Sequence, residues 1–254
     1  MTDRLTTNMR ALVVVPYRNR KKHLDELLPA LKIHMSDINS HILIIEQSDS
    51  FLFNKAMLLN AGFDIATKNN IKFDYCIFHD VDFLPINVDY SFPRTGAAQL
   101  FKQSENVHWS EQHFGGVVAV SRKSYLQVNG SSNGYWGWGS EDYDLRDRLK
   151  KAGFRIESRS GQFKVLEHPD NGWNGVSGNK LPKRNLRRYI AVRNGFIKPE
   201  EDGVIRIDYR IVNEEKDRDY SKYSVTLSKN KDKHYYRYAV SFIKNYIIER
   251  ISIS

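Results

Sequence analysis

Asp80-Val81-Asp82 sets two carboxylates one residue apart, after the apolar run 74–79 and before Phe83-Leu84-Pro85. Carboxylates so spaced at a strand end offer hard oxygens to a divalent cation beside a diphosphate. The same triplet arises by chance in surface loops, so spacing alone leaves both readings open. Trp136-Gly137-Trp138-Gly139-Ser140-Glu141-Asp142 is more specific. An indole face is a platform for the apolar face of a sugar ring, and the acids that follow can accept a proton from a hydroxyl. The bland alternative is a tryptophan wedge that packs a loop onto the core.

Strands and helices must position these groups. Residues 11–16 form a β-branched apolar run, predicted as a buried first strand. Polar residues 17–20 follow, then an amphipathic helix over 23–35 with Leu24, Leu27, Leu28 and Leu31 at helical spacing. Residues 41–46 predict a second strand, 54–63 a helix with Gly62 near its end, and 74–79 a third strand running into Asp80. Strand–helix alternation implies an α/β fold with a mostly parallel central sheet flanked by helices. Ligands of such sheets bind at the carboxyl ends of the strands, where Arg18, Arg20 and the Asp80–Asp82 triplet fall. Further along, 115–120 predicts a strand, and 141–151 a helix through Leu145 and Leu149 that closes at Gly153. Residues 168–183 read as a mobile loop, and 205–212 and 223–227 as late strands. Residues 235–251 carry one apolar helical face, which fits either a helix docked on the domain or a basic amphipathic helix on a membrane surface. The expected division is therefore a main domain over 1–228 and a basic amphipathic tail over 229–254.

Bulk properties narrow the class. The 254 residues are 41% hydrophobic, enough apolar side chain to build a folded core rather than a disordered chain. The single cysteine, Cys76, forbids an internal disulfide and lies in an apolar run, as a buried inert thiol would. No window of about 18 apolar residues predicts a membrane span. Residues 1–10 lack the apolar stretch of a signal peptide. The net charge is +9, and nearly all of the surplus falls from Lys180 onward. No nucleic-acid-binding motif accompanies it, so no nucleic acid partner is expected, and an anionic membrane or glycan suits it better.

The ordered motifs resemble those of the β-1,4-galactosyltransferase family. They are Pro16-Tyr17-Arg18-Asn19-Arg20, Phe53-Asn54-Lys55-Ala56, Asn60-Ala61-Gly62-Phe63, His79-Asp80-Val81-Asp82, Phe114-Gly115-Gly116 and the Trp136–Asp142 run. The resemblance spans roughly residues 10 to 227 and leans towards the branch that transfers galactose to xylose.

It implies a GT-A (nucleotide-diphospho-sugar transferase) fold, a UDP-sugar donor, a glycan or glycolipid acceptor, Mn²⁺, and inversion at the anomeric carbon. Donor contacts are then expected from Pro16, Tyr17, Arg18, Arg20, Phe53, Lys55, Asp80, Val81, Asp82, His113, Gly116 and Trp138. Asp142 becomes the general base, with Glu141 near the transferred sugar. Trp136, Tyr143 and Asp144 fall to the acceptor, and Asp82, His168 and Asp170 to the metal.

Tyr143 stands where the family usually has another acid, and His113 where it often has Tyr. Lys55 replaces the commoner Arg, and Asp170 stands where the xylose branch has His. His113 keeps an N-acetylgalactosamine donor as the alternative, and a non-catalytic carbohydrate-binding protein is the distant rival. The expected setting is surface polysaccharide or glycan synthesis. The protein would be cytoplasmic and peripheral on the inner membrane leaflet, or else a Golgi luminal domain with its anchor removed.

Overall fold

The structure is a computed structural model that describes residues 9–101, 114–167 and 182–229. Strand β1 (Ala11–Tyr17) leads to helix α1 (Lys21–His34), β2 (Ser40–Gln47), α2 (Lys55–Lys68) and β3 (Tyr75–His79). Then come β4 (Phe83–Asn87), β5 (Gly96–Phe101), β6 (Val117–Ser121), α3 (Arg122–Gln127), α4 (Glu141–Lys151) and β7 (Arg155–Val165). Helix α5 (Pro182–Arg193), two short 3-10 turns (Pro199–Glu201 and Val204–Arg206), β8 (Tyr209–Lys216) and β9 (Ser221–Leu227) complete the described chain.

One sheet of nine strands runs in the order β4-β7-β5-β6-β3-β1-β2-β9-β8. Its centre is parallel, as expected: β3, β1, β2 and β9 pair side by side in one direction. The whole is mixed, because β6 runs antiparallel to both β3 and β5, β7 to β4, and β8 to β9. All seven residues of β1 are buried, and successive side chains serve opposite layers. Ala11, Val13 and Val15 meet Leu24, Leu27 and Leu31 of α1. Leu12 and Val14 meet α2 together with Leu145 and Leu149 of α4. A helical layer on each face leaves the carboxyl edge of the central strands as the open side.

Two boundaries differ from expectation, and helix α5 is additional. Helix α2 continues to Lys68, and Gly62 lies inside it. There the glycine permits close approach to the sheet: a Cβ would stand 2.5 Å from Val14 Cγ1 and 3.1 Å from Ile45 Cγ1. Gly62→Val should therefore cost about 1–3 kcal/mol by overpacking. Urea denaturation reads this directly, and an unchanged midpoint would contradict so close a seat. The strand expected over 205–212 is instead a 3-10 turn over Val204–Arg206 followed by β8. Helix α5 was not foreseen. The tail, apart from Lys229, and most of the expected 168–183 loop lie outside the described residues.

Candidate active site

Four chain segments converge at the carboxyl edge. Strand β1 ends at Tyr17 and delivers Arg18, Asn19 and Arg20, with Asn19 at φ 53° turning the chain into α1. Pro16 and Tyr17 themselves are buried. Arg18 Nη1 donates to the Phe51 carbonyl at 2.6 Å, and its guanidinium lies 5.3 Å from the Phe53 ring centroid. Burial lowers its pKa. Arg18 and Phe53 thus form one cationic and aromatic wall.

The second segment is the N-terminus of α2. Asn54 caps it by accepting from Met57 N at 2.9 Å, and its amide reaches the Asn133 carbonyl at 2.8 Å. This fixes Lys55 on the first helical turn, where backbone N–H groups favour anions. Lys55 Nζ stands 3.1 Å from Asp80 Oδ2, 3.2 Å from Asp142 Oδ1 and 3.8 Å from Glu141 Oε1. Burial alone would lower its pKa, but Asp142, Asp80 and Glu141 outweigh that and hold the ammonium well above the usual lysine range.

The third is the turn after β3. Asp80 N donates to the Gly116 carbonyl at 2.9 Å, and Leu166 N donates to the Asp82 carbonyl at 2.7 Å. Gly116 has φ +71°, and a Cβ there would sit 2.9 Å from the Phe83 ring. Its role is to let this turn close; Val81 is buried beside it.

His79, which opens the His79–Asp82 motif but was given no role of its own, is buried beneath. Its Nδ1 lies 2.9 Å from the Asp80 carbonyl and its Nε2 2.9 Å from the Tyr90 hydroxyl. A carbonyl only accepts, so Nδ1 carries the hydrogen and the Tyr90 hydroxyl donates to Nε2. Burial pushes the imidazole down to about 4, so the neutral ring pins the turn. A histidine between an apolar strand and an acidic turn was the available signal.

The fourth is the N-terminus of α4. Ser140, at φ 73°, takes a left-handed conformation that is uncommon for a residue with a side chain. It launches Glu141 and Asp142 into the cleft from the first turn, where the helix dipole favours carboxylates. Burial, reinforced by Asp142, pushes the Glu141 carboxyl up to about 7. Burial likewise lifts Asp80 to about 7, against the pull of Lys55.

These carboxylates share the Lys55 ammonium, and Glu141 Oε2 is buried without a hydrogen-bond partner among the described residues. A surplus of hard, negatively charged oxygen beside Asp82 fits a divalent cation. No group of three or more His, Cys, Asp or Glu side chains among the described residues is arranged to hold one alone. His168, Asp170 and His113 lie outside the described residues.

Lys55→Met removes the opposing charge. Asp80 and Glu141 should then protonate at still higher pH, and donor binding should weaken by about 1.5–3 kcal/mol, read as the donor KM at neutral pH. An unchanged KM would place Lys55 outside the donor site.

The loop tryptophans Trp136 and Trp138 separate, as do the predicted acceptor residues Tyr143 and Asp144. Trp138 is 47% exposed at the loop tip, whereas Trp136 is 5% exposed and packs edge-on against Phe51 at 5.7 Å. Trp136 is therefore the wedge that seats the loop, not an open sugar platform. Tyr143 is half-buried and lies 6.0 Å from the Tyr189 ring. Asp144 does not face the acceptor side: it is fully buried and paired with Arg148 Nε at 3.1 Å, on the face of α4 that carries Leu145 and Leu149. Asp202 and Arg188, which no motif marked, complete that buried network with Arg148.

Comparison with known proteins places the chain in a family. Residues 3–92 match the family model described as the N-terminal region of glycosyl transferase group 7, and residues 98–169 match the N-terminal domain of galactosyltransferase. The rat β-1,4-galactosyltransferase 4 is 33% identical over 227 residues, 85% of this chain and 63% of its own length. The Caenorhabditis elegans xylosylprotein 4-β-galactosyltransferase is 30% identical over 234 residues, 87% of this chain and 78% of its own length. The chain thus spans under two thirds of the rat relative and over three quarters of the worm one. The catalytic domain of Drosophila β1,4-galactosyltransferase 7, solved with xylobiose, superposes with a TM-score of 0.72 at 25% identity, covering 89% of this chain and 97% of that one. A mutant of the Drosophila protein was solved with manganese, UDP-Gal and xylobiose; it gives a TM-score of 0.73 at 24% identity over the same shares and agrees in fold.

Proposed function

The chain belongs to the β-1,4-galactosyltransferase family, and we propose that its carboxylate cleft transfers galactose from UDP-galactose to the 4-hydroxyl of an acceptor sugar with inversion. The observation that carries this reading is the convergence of Asp142 and Asp80 on one ammonium, Lys55, at the carboxyl edge of the sheet. The proton acceptor Asp142 and the acidic turn at Asp80 flank the same ammonium, and Arg18 and Phe53 add a cationic and aromatic wall.

The reaction is a single in-line displacement. Arg18, Arg20 and Lys55 bind the diphosphate, and Phe53 lies along the base. Asp82, with His168 and Asp170, would hold Mn²⁺, which would supply positive charge to the departing diphosphate. The acceptor oxygen forms its bond to the anomeric carbon as the bond from that carbon to the UDP oxygen breaks. The acceptor proton passes to Asp142, and UDP leaves as the anion. Lys55, drawn to the incoming diphosphate, releases Asp142 for that proton. Trp138, exposed on a glycine-flanked loop, folds over the donor and excludes water.

The worm relative's name and the xylobiose of the Drosophila structure support a xylose-bearing acceptor as the first to test. We place that acceptor in a glycan or surface polysaccharide. Product from UDP-galactose and an aryl xyloside should show a β anomeric proton coupling and a galactose C1 correlation to xylose C4 by NMR. Another linkage would overturn the regiochemistry. Product formed only from UDP-N-acetylgalactosamine would overturn the donor assignment. UDP binding without product over a panel of xylosides, glucosides and N-acetylglucosaminides would favour a carbohydrate-binding role.

A further inference from the structure

Helix α5 reverses the pattern of an ordinary surface helix. It buries Asn185, Val192 and Arg188, the last only 4% exposed, while Leu186 and Ile190 stand 50% and 39% exposed one turn apart on its outer side. Phe196 is exposed just beyond the helix. Arg184, Arg187 and Arg193 are exposed around these residues, and the helix contains no Asp or Glu. The helix cannot roll to hide its apolar side. Arg188 Nη2 is tied to Asp202 Oδ2 at 2.8 Å, and Asn185 Nδ2 donates to the Trp138 carbonyl at 3.0 Å.

We propose that the outer face of α5 docks the protein on an anionic lipid bilayer. Leu186 and Ile190 enter the boundary between headgroups and acyl chains, and Arg184, Arg187 and Arg193 meet the lipid phosphates. Apolar side chains ringed by arginines are what an interfacial helix requires. Each arginine near such a surface adds attraction that fades within a Debye length. Charge decides against a second copy of the chain as occupant, since a two-fold contact through this face would set arginine against arginine. Among the described residues no helix is long and apolar enough to cross a membrane. The bond from Asn185 to the Trp138 loop places α5 beside the cleft, where a lipid-borne acceptor would arrive. The docking inference stands independently of which sugar is transferred.

The test is co-sedimentation of the full chain with vesicles of phosphatidylcholine, with and without about 30% phosphatidylglycerol, at about 0.1 M salt. The wild type should partition onto the anionic vesicles and release as salt rises. The double variants Leu186→Gln/Ile190→Gln and Arg187→Gln/Arg193→Gln should each lower partitioning by about tenfold to thirtyfold. Thermal melting and turnover on a soluble xyloside should stay at wild-type values, because these side chains face outward. Failure of the wild type to bind anionic vesicles overturns the proposal. So does full binding by both double variants, which would move the attraction elsewhere, for example to residues 230–254. A wild-type dimer that Leu186→Gln/Ile190→Gln dissociates would assign the face to a second copy instead.

Discussion

Asp142→Asn is expected to keep UDP binding within about twofold of wild type while transfer falls by about 10²–10⁴-fold, the usual contribution of a positioned general base. Asparagine keeps the size and the hydrogen-bond acceptor facing Lys55, so the cleft should hold its shape. It cannot take a proton from the acceptor hydroxyl. The loss should therefore appear in kcat with little change in donor KM, the pattern of an interaction made in the transition state. Isothermal titration with UDP supplies the binding arm. Wild-type turnover in the variant would remove Asp142 from the mechanism. A parallel loss of UDP binding would mean that its charge serves mainly to hold Lys55.

Asp202→Ala should destabilise the protein by about 3–5 kcal/mol, because it strands buried cations without their counter-charge. Asp202 accepts from Arg188 Nη2 at 2.8 Å, from Asn133 N at 2.8 Å and from the Ser132 hydroxyl, and its carboxylate lies 3.5 Å from Arg148 Nη2. Its own carbonyl accepts from Arg148 Nη1 at 3.1 Å. These bonds join α4, α5 and the segment that leads into Trp136, so their loss should loosen the loop that carries Trp138.

Burial would raise the Asp202 carboxyl, yet Arg188 and Arg148 pull it below the usual aspartate range. A folded-state value below the unfolded one contributes stability that is present above the unfolded value of about 3.9. That stability is lost as pH falls through the lower folded value. The difference between wild type and variant should accordingly be full at neutral pH and shrink below about pH 4. Guanidinium denaturation at pH 7 and at acid pH measures both. A neutral-pH difference under about 0.5 kcal/mol, the size of an ordinary surface substitution, would contradict the clamp.

The central strands were legible because β1 and β2 are apolar β-branched runs and β3 a short apolar one, each set off by polar residues. The acidic turn was legible from its place at the end of a predicted strand, and the Trp136–Asp142 run because its residue types have few other uses at that spacing. Helix α5 was not, since it buries an arginine and an asparagine and so lacks the inward apolar stripe that marks a helix in sequence. Strand β7 hid for a related reason: most of Arg155–Val165 alternates between exposed and half-buried, with few apolar residues. Asp144 looked like a ligand contact because it follows Asp142. Its partner four residues on, Arg148, beside Leu145 and Leu149, was the sign of an inward pair. Trp136 and Trp138 have the same chemistry, and only the packing of Phe51 on one of them tells anchor from tip. The closeness of α2 to the sheet at Gly62 depends on two side chains of other elements, which no local pattern contains.

The most direct test of the central claim is UDP release from UDP-galactose with an aryl xyloside, in Mn²⁺ and again after EDTA. The reading of the carboxylate cleft predicts turnover that needs both donor and acceptor, vanishes with EDTA and returns on adding Mn²⁺ in excess. Turnover indifferent to EDTA, or Mn²⁺-dependent UDP release at the same rate without any acceptor sugar, would contradict it.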